Sequence, residues 1–116
     1  MTAEEKKKEQ KKIENRLKRI TQSMAEDKQK AFTDMIQNIA FMSVELACLQ
    51  EQIREEGCLE YYQNGANQKG RKPSSAIQVY NATAKTFNTA IKLLVSALDT
   101  KEQKTEKNEL LEFLKQ

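Results

Sequence analysis

Apolar side chains along this chain return every three or four residues and almost never alternate with polar ones. That is the period of an α-helix rather than of a strand. Over residues 4–20 a sparse stripe of Ile13, Leu17 and Ile20, set in lysine and glutamate, predicts a first helix. A break follows at Thr21–Ser23, where Ser23-x-x-Glu26 reads as a capping box. A second helix is predicted from Met24 to Glu56. Its Met35, Ile39, Met42, Leu46, Leu49 and Ile53 alternate spacings of four and three, a heptad seam widened by Phe32 and Ile36. Gly57 stands where a left-handed C-terminal cap belongs. Pro73 and the second capping box Ser75-x-x-Gln78 announce a third helix. Its seam is Ile77, Tyr80, Ala84, Phe87, Ile91, Leu94 and Leu98. Each seam spans roughly 30 Å. Two matched seams joined by a connector predict an antiparallel helical hairpin packed at a shallow angle.

Between the seams, residues 57–74 form a polar, basic, glycine-punctuated connector, expected to be irregular because no apolar alternation marks strands. Asn64-Gly65 is a turn signal. Tyr61 and Tyr62 are expected to close the open end of the hairpin, with base stacking as the alternative. Asn81, one position past the seam residue Tyr80, fits a buried amide or a solvated one equally. Residues 101–109 hold no apolar side chain, and then Leu110, Leu111, Phe113 and Leu114 arrive together. Lys101, Lys104 and Lys107 repeat at i,i+3, as do Glu106, Glu109 and Glu112, and like charges at that spacing weaken an isolated helix. The expectation is a poorly ordered stem ending in a hydrophobic clip that folds on a partner; a helix packed back on its own hairpin is the alternative. The predicted fold class is thus all-α. A basic N-terminal helix (1–22) precedes an antiparallel helical hairpin core (23–99, with connector 57–74) and a C-terminal helical tail (100–116).

Composition adds constraints. With 116 residues, 32% of them charged and 38% hydrophobic, a lone copy has a thin core, which favours burial against further copies. No apolar run is long enough for a transmembrane helix, and no apolar stretch follows the first lysines as a secretory leader requires. Cys48 and Cys58 are expected to stay reduced, Cys48 as a buried structural residue. The chain has no histidine, which removes the commonest general base and metal ligand. No serine or cysteine has a recognisable activating partner. No enzyme activity, cofactor or metal is therefore expected. Gly65 to Gly70 has the glycine spacing of a phosphate loop, but Arg71, Lys72 and Pro73 follow where Lys and Ser/Thr are needed.

The net charge of +3 is unevenly spread. Residues 1–30 carry ten basic groups against six acidic ones, whereas residues 31–68 hold Arg54 alone against six acids. Residues 69–100 return to five basic groups against Asp99. Segregation of this kind suits nucleic acid on one surface and subunit contacts on another. Within the N-terminal block that runs through Lys6, Lys7 and Lys8, the candidate DNA contacts are Lys11, Lys12, Arg16, Lys18 and Arg19. Lys69, Arg71 and Lys72 form a second group beside a helix start, where anions are favoured. A merely solvated face is the competing reading of both.

The pattern Tyr62-x-Asn64-Gly65-x4-Gly70-x5-Ala76-Ile77-x-Val79-Tyr80-Asn81, within about residues 24–98, resembles the small terminase subunits of tailed bacteriophages. The resemblance implies a small helical protein that forms a homo-oligomeric ring in the host cell cytoplasm. It implies binding of double-stranded viral DNA, which is then presented to a large subunit bearing the ATPase and nuclease activities. Leu110, Leu111, Phe113 and Leu114 would then be candidates for contact with the large subunit. Many members carry an N-terminal helix-turn-helix domain where this chain has a short lysine-rich helix, so Lys and Arg contacts to the phosphate backbone are the implied mode. The reading from another class is an oligomeric helical adaptor that does not bind DNA.

Overall fold

The computed structural model describes residues 1–98 and 104–115, and the molecule measures 64 × 28 × 23 Å. Among the described residues four helices, α1 (Ala3–Ile20), α2 (Glu26–Glu56), α3 (Ser75–Ala97) and α4 (Lys104–Leu114), carry most of the chain. Two short strands, β1 (Leu59–Asn64) and β2 (Gln68–Pro73), lie between α2 and α3. None of the described helices is long and apolar enough to cross a membrane.

The long helix α2 is the spine, and α3 runs antiparallel to it. Lys28 near the start of α2 donates to the Ala97 carbonyl at the end of α3, while Gln50 near the end of α2 donates to the Tyr80 hydroxyl near the start of α3. The N-terminal helix α1 also folds back along α2, with Lys6 paired to Glu45 at 3.3 Å. Because it serves two neighbours, α2 buries Ile36, Ala40 and Val44 beside Ile39, a wider face than one heptad seam. The predicted seam residues Met35, Met42, Leu46, Leu49 and Ile53 are only half-buried.

All four helices feed one core. Leu17 and Ile20 from α1, Ile36 and Ile39 from α2, Ile91 and Leu94 from α3, Leu98, Met24 from the α1–α2 turn and Leu110 from α4 form a single buried cluster. The cluster sits where α1 turns into α2. Toward the other end Ile77, Tyr80, Ala84 and Phe87 of α3 are half-buried.

Helix ends differ in detail from the sequence expectation. Helix α1 is capped by Thr2, whose hydroxyl accepts from the Glu5 N–H at 3.1 Å. The Ser23 capping box does not form. The N-cap of α2 is Ala25, and the turn is held by the Gln29 side-chain amide, which donates to the Gln22 and Met24 carbonyls at 2.7 Å. For α3 the cap is Ser74, one residue before the predicted one. Its hydroxyl accepts from the Ile77 N–H at 3.1 Å, while the Gln78 side chain reaches back to the Pro73 carbonyl. Gly57 closes α2 with a positive φ of 83°.

Two corrections concern architecture. The connector is an antiparallel β-hairpin, so the protein is mostly helical rather than all-α. Its register pairs Leu59 with Pro73, Tyr61 with Arg71, Tyr62 with Gly70 and Asn64 with Gln68, leaving a three-residue turn at 65–67. Gly65 supplies the turn's positive φ of 75°, a region that costs a side-chain-bearing residue about 1–2 kcal/mol. The second correction concerns the tail. Lys104–Glu109, expected to be a poorly ordered stem, lies inside α4, which packs against α1 with Leu110 0% exposed. Burial of that leucine outweighs the like-charge repeats, which cost only a few tenths of a kcal/mol each. Lys101 and the chain over 99–103 lie outside the described residues. Cys48 is half-buried rather than buried, and Cys58 is exposed; both are free thiols.

Candidate nucleic-acid interface

Helix α1 sorts its charges by face. Ile13, Arg16, Leu17 and Ile20 point toward α2 and α4; Lys7, Lys8, Lys11 and Lys18 lie on the outward side, with Lys12 and Arg19 at its border beside α4, and all six are exposed. Three- and four-residue spacing brings the outward four onto one solvated stripe. Lys12 is tied to Glu9 at 3.3 Å, an exposed pair of the kind that holds little energy. Among the described residues the side chains of Lys7, Lys8, Lys11, Lys18 and Arg19 have no hydrogen-bond or ion-pair partner. Lys7 and Lys8 thus belong with the candidates as much as Lys11 does, although Glu4 and Glu5 just before them dilute the block.

Arg16 has a different job. Its guanidinium lies over the Phe113 ring at 5.2 Å, and with Arg19 it lines a small cleft shared with Glu109 and Glu112 of α4. A half-buried cation engaged this way helps seat α4 and is poorly placed for phosphate.

The second predicted cluster is divided by the hairpin. Consecutive residues of a strand point to opposite faces, so Lys72 is separated from Lys69 and Arg71. Lys72 pairs with Glu60 at 3.5 Å and lies 6.0 Å from the Tyr62 ring centroid. Glu60 also accepts from the Ser75 N–H at the start of α3, and Ser74 N–H donates to the Cys58 carbonyl, so this face anchors the hairpin to the helix. Tyr62 lies against Gly70, where its ring would meet a side chain at 3.6 Å. Lys69 and Arg71 lie on the other face, exposed and without partners among the described residues.

Tyr61 shares that outer face and is 64% exposed, so it does not close the hairpin as expected; Tyr62, half-buried, is the inward ring. Nothing in the local composition singles out Tyr61. Counting outward from the Asn64-Gly65 turn to its cross-strand partner Arg71 would have done so. Asn81 is exposed.

The tail residues divide too. Leu110 is in the core and Phe113 is half-buried beneath Arg16, while Leu111 and Leu114 are 40% exposed. Above the end of α4 a groove of about 630 Å³ runs between α1 and α3, floored by Leu46 and Ala47 and walled by Ile13, Tyr80 and Phe87. Among the described residues no three Cys, Asp or Glu side chains converge in a way that could hold a metal ion.

Comparison with protein-family models, curated proteins and solved structures returns no match for this chain.

Proposed function

We propose that this chain is the small, DNA-recognition subunit of a phage DNA-packaging terminase. In this reading it binds viral double-stranded DNA in the host cytoplasm and delivers it to a large ATPase/nuclease subunit. The observation that carries the reading is the set of unpaired cations on two separate elements, Lys7, Lys8, Lys11, Lys18 and Arg19 on α1 and Lys69 and Arg71 on β2. Cations without intramolecular partners are free to neutralise phosphates, and the motif from Tyr62 to Asn81 supplies the family likeness. A homo-oligomeric ring belongs to the same proposal. It draws on Phe41, Val79 and Leu93, each about half exposed on α2 or α3, as apolar side chains available to a further copy. Leu111 and Leu114 are the tail residues left for the large subunit.

One observation favours the second reading, an oligomeric helical adaptor. Over its 23 residues α3 carries only two charges, Lys85 and Lys92, so its outward side suits protein better than DNA. Binding to a DNA duplex as a function of salt decides between them. The terminase reading expects affinity to collapse between about 50 and 200 mM salt, with a log–log slope near −0.9 per phosphate neutralised. Replacing Lys11, Lys12, Lys18 and Arg19 together by alanine should flatten that slope while leaving the α-helical circular dichroism unchanged. No retardation of wild type at the lowest salt would leave the adaptor.

A further inference from the structure

The two faces of the β-hairpin have opposite characters. Direct cross-strand partners share a face, so one face presents Glu60, Tyr62 and Asn64 with Lys72, Gly70 and Gln68. That face is consumed internally by the Glu60–Lys72 pair, the bond from Ser75 and the packing of Tyr62 on Gly70. The other presents Leu59, Tyr61 and Gln63 with Pro73, Arg71 and Lys69, and all six are exposed. It carries two positive charges and no negative one. Tyr61 lies directly across from Arg71 and diagonally from Lys69, so its ring sits among the two cations. Lys69 and Arg71, two residues apart on one strand, are separated by about 7 Å.

From this we infer that the outer face of the hairpin is a DNA contact in its own right. Lys69 and Arg71 bind phosphates of one strand, and the Tyr61 ring packs on the sugar and base edges beside them. The inference rests on the DNA-binding reading above and gives it a specific element. Phosphate accounts for both unpaired cations together, whereas a protein interface favours Arg and Tyr but depletes Lys, which leaves Lys69 unexplained. Deoxyribose accounts for an aromatic ring left in water, since the ring face can pack on the sugar that every nucleotide of a duplex carries. The inward face explains why this works as a rigid element. The hairpin is tied to the start of α3 through Glu60 and Ser74, so its outer side chains are presented from a fixed platform.

The test uses the full chain and a labelled 20-base-pair duplex, with binding followed by anisotropy across a salt series. The double variant K69A/R71A is expected to lower the magnitude of the salt slope by about 1.8, from two lost phosphate contacts. Tyr61→Ala is expected to weaken binding about tenfold with the slope unchanged, from the lost apolar burial of the ring on the sugars, and Tyr61→Phe to restore it, because the ring rather than the hydroxyl carries the contact. If wild type binds and these variants bind equally well, the hairpin assignment falls while the DNA reading survives on α1. If wild type fails to bind the duplex even at the lowest salt, both fall. If the variants lose mass in light scattering rather than affinity for DNA, the face joins copies of this chain and the inference is overturned.

Discussion

Leu110 and Leu111 are neighbours in α4 with opposite environments, and the difference can be measured. Leu110 is 0% exposed in the shared core, whereas Leu111 is 40% exposed. Leu110→Ala removes a buried isobutyl group and leaves a void among Leu17, Ile20, Leu98 and their neighbours. Transfer and cavity terms together put the loss at about 2–5 kcal/mol. Because α4 packs mainly on α1, partial collapse of the site should keep the value near the lower end, about 2–3 kcal/mol. Leu111→Ala gives up only part of one side chain's burial and should cost under about 1 kcal/mol. Urea denaturation followed at 222 nm measures both, run at two protein concentrations so that subunit dissociation does not enter the difference. Loss of the α4 helical signal before the main transition is expected for Leu110→Ala alone. Equal effects of the two substitutions, or a Leu110→Ala cost below about 0.5 kcal/mol, would refute the seating of α4 in the core. The tail would then be the detached clip that its charge pattern suggests.

Two further outcomes follow from burial and backbone geometry. Ile39→Asp places an unpaired charge at a fully buried position and should unfold the protein, a loss above about 4 kcal/mol, whereas Leu46→Asp, on the open groove, should leave a folded helical protein by circular dichroism. Gly65→Ala should cost about 1–2 kcal/mol of hairpin stability, since its φ of 75° suits few residues with a Cβ, and faster amide exchange confined to β1 and β2 would report it.

The helices were legible because their evidence is repetitive. Ile77 to Leu98 repeats one spacing through three heptads, and α1 begins within a residue of its expected start. The hairpin was not legible for a physical reason: neither of its faces enters the core, so no apolar alternation was selected, and the adjacent Tyr61 and Tyr62 blur what period remains. Only the Asn64-Gly65 turn signal survived in the sequence. The charge repeats of α4 describe only the isolated segment, while its stability comes from Leu110 in a core built with α1, α2 and α3. Of the candidate cations, the types and positions were readable but their engagement was not. Arg16 stacks on a ring almost a hundred residues away, and Lys72 is set apart from Lys69 and Arg71 by strand register. Those distinctions exist only once the chain is folded.

The distribution of aromatic rings has an optical consequence. The chain has no tryptophan and three tyrosines, and these are Tyr61 and Tyr62 on β1 and Tyr80, held by Gln50 near the start of α3. Every tyrosine therefore lies toward the hairpin end, and none belongs to the cluster around Leu17 and Leu94, where the packed rings are phenylalanines. Tyrosine fluorescence of the unlabelled protein, excited beyond the phenylalanine band, is a local gauge of the hairpin and the helix start beside it, blind to the far core. A ligand that quenches tyrosine emission while leaving the helical dichroism untouched would have announced where it sits.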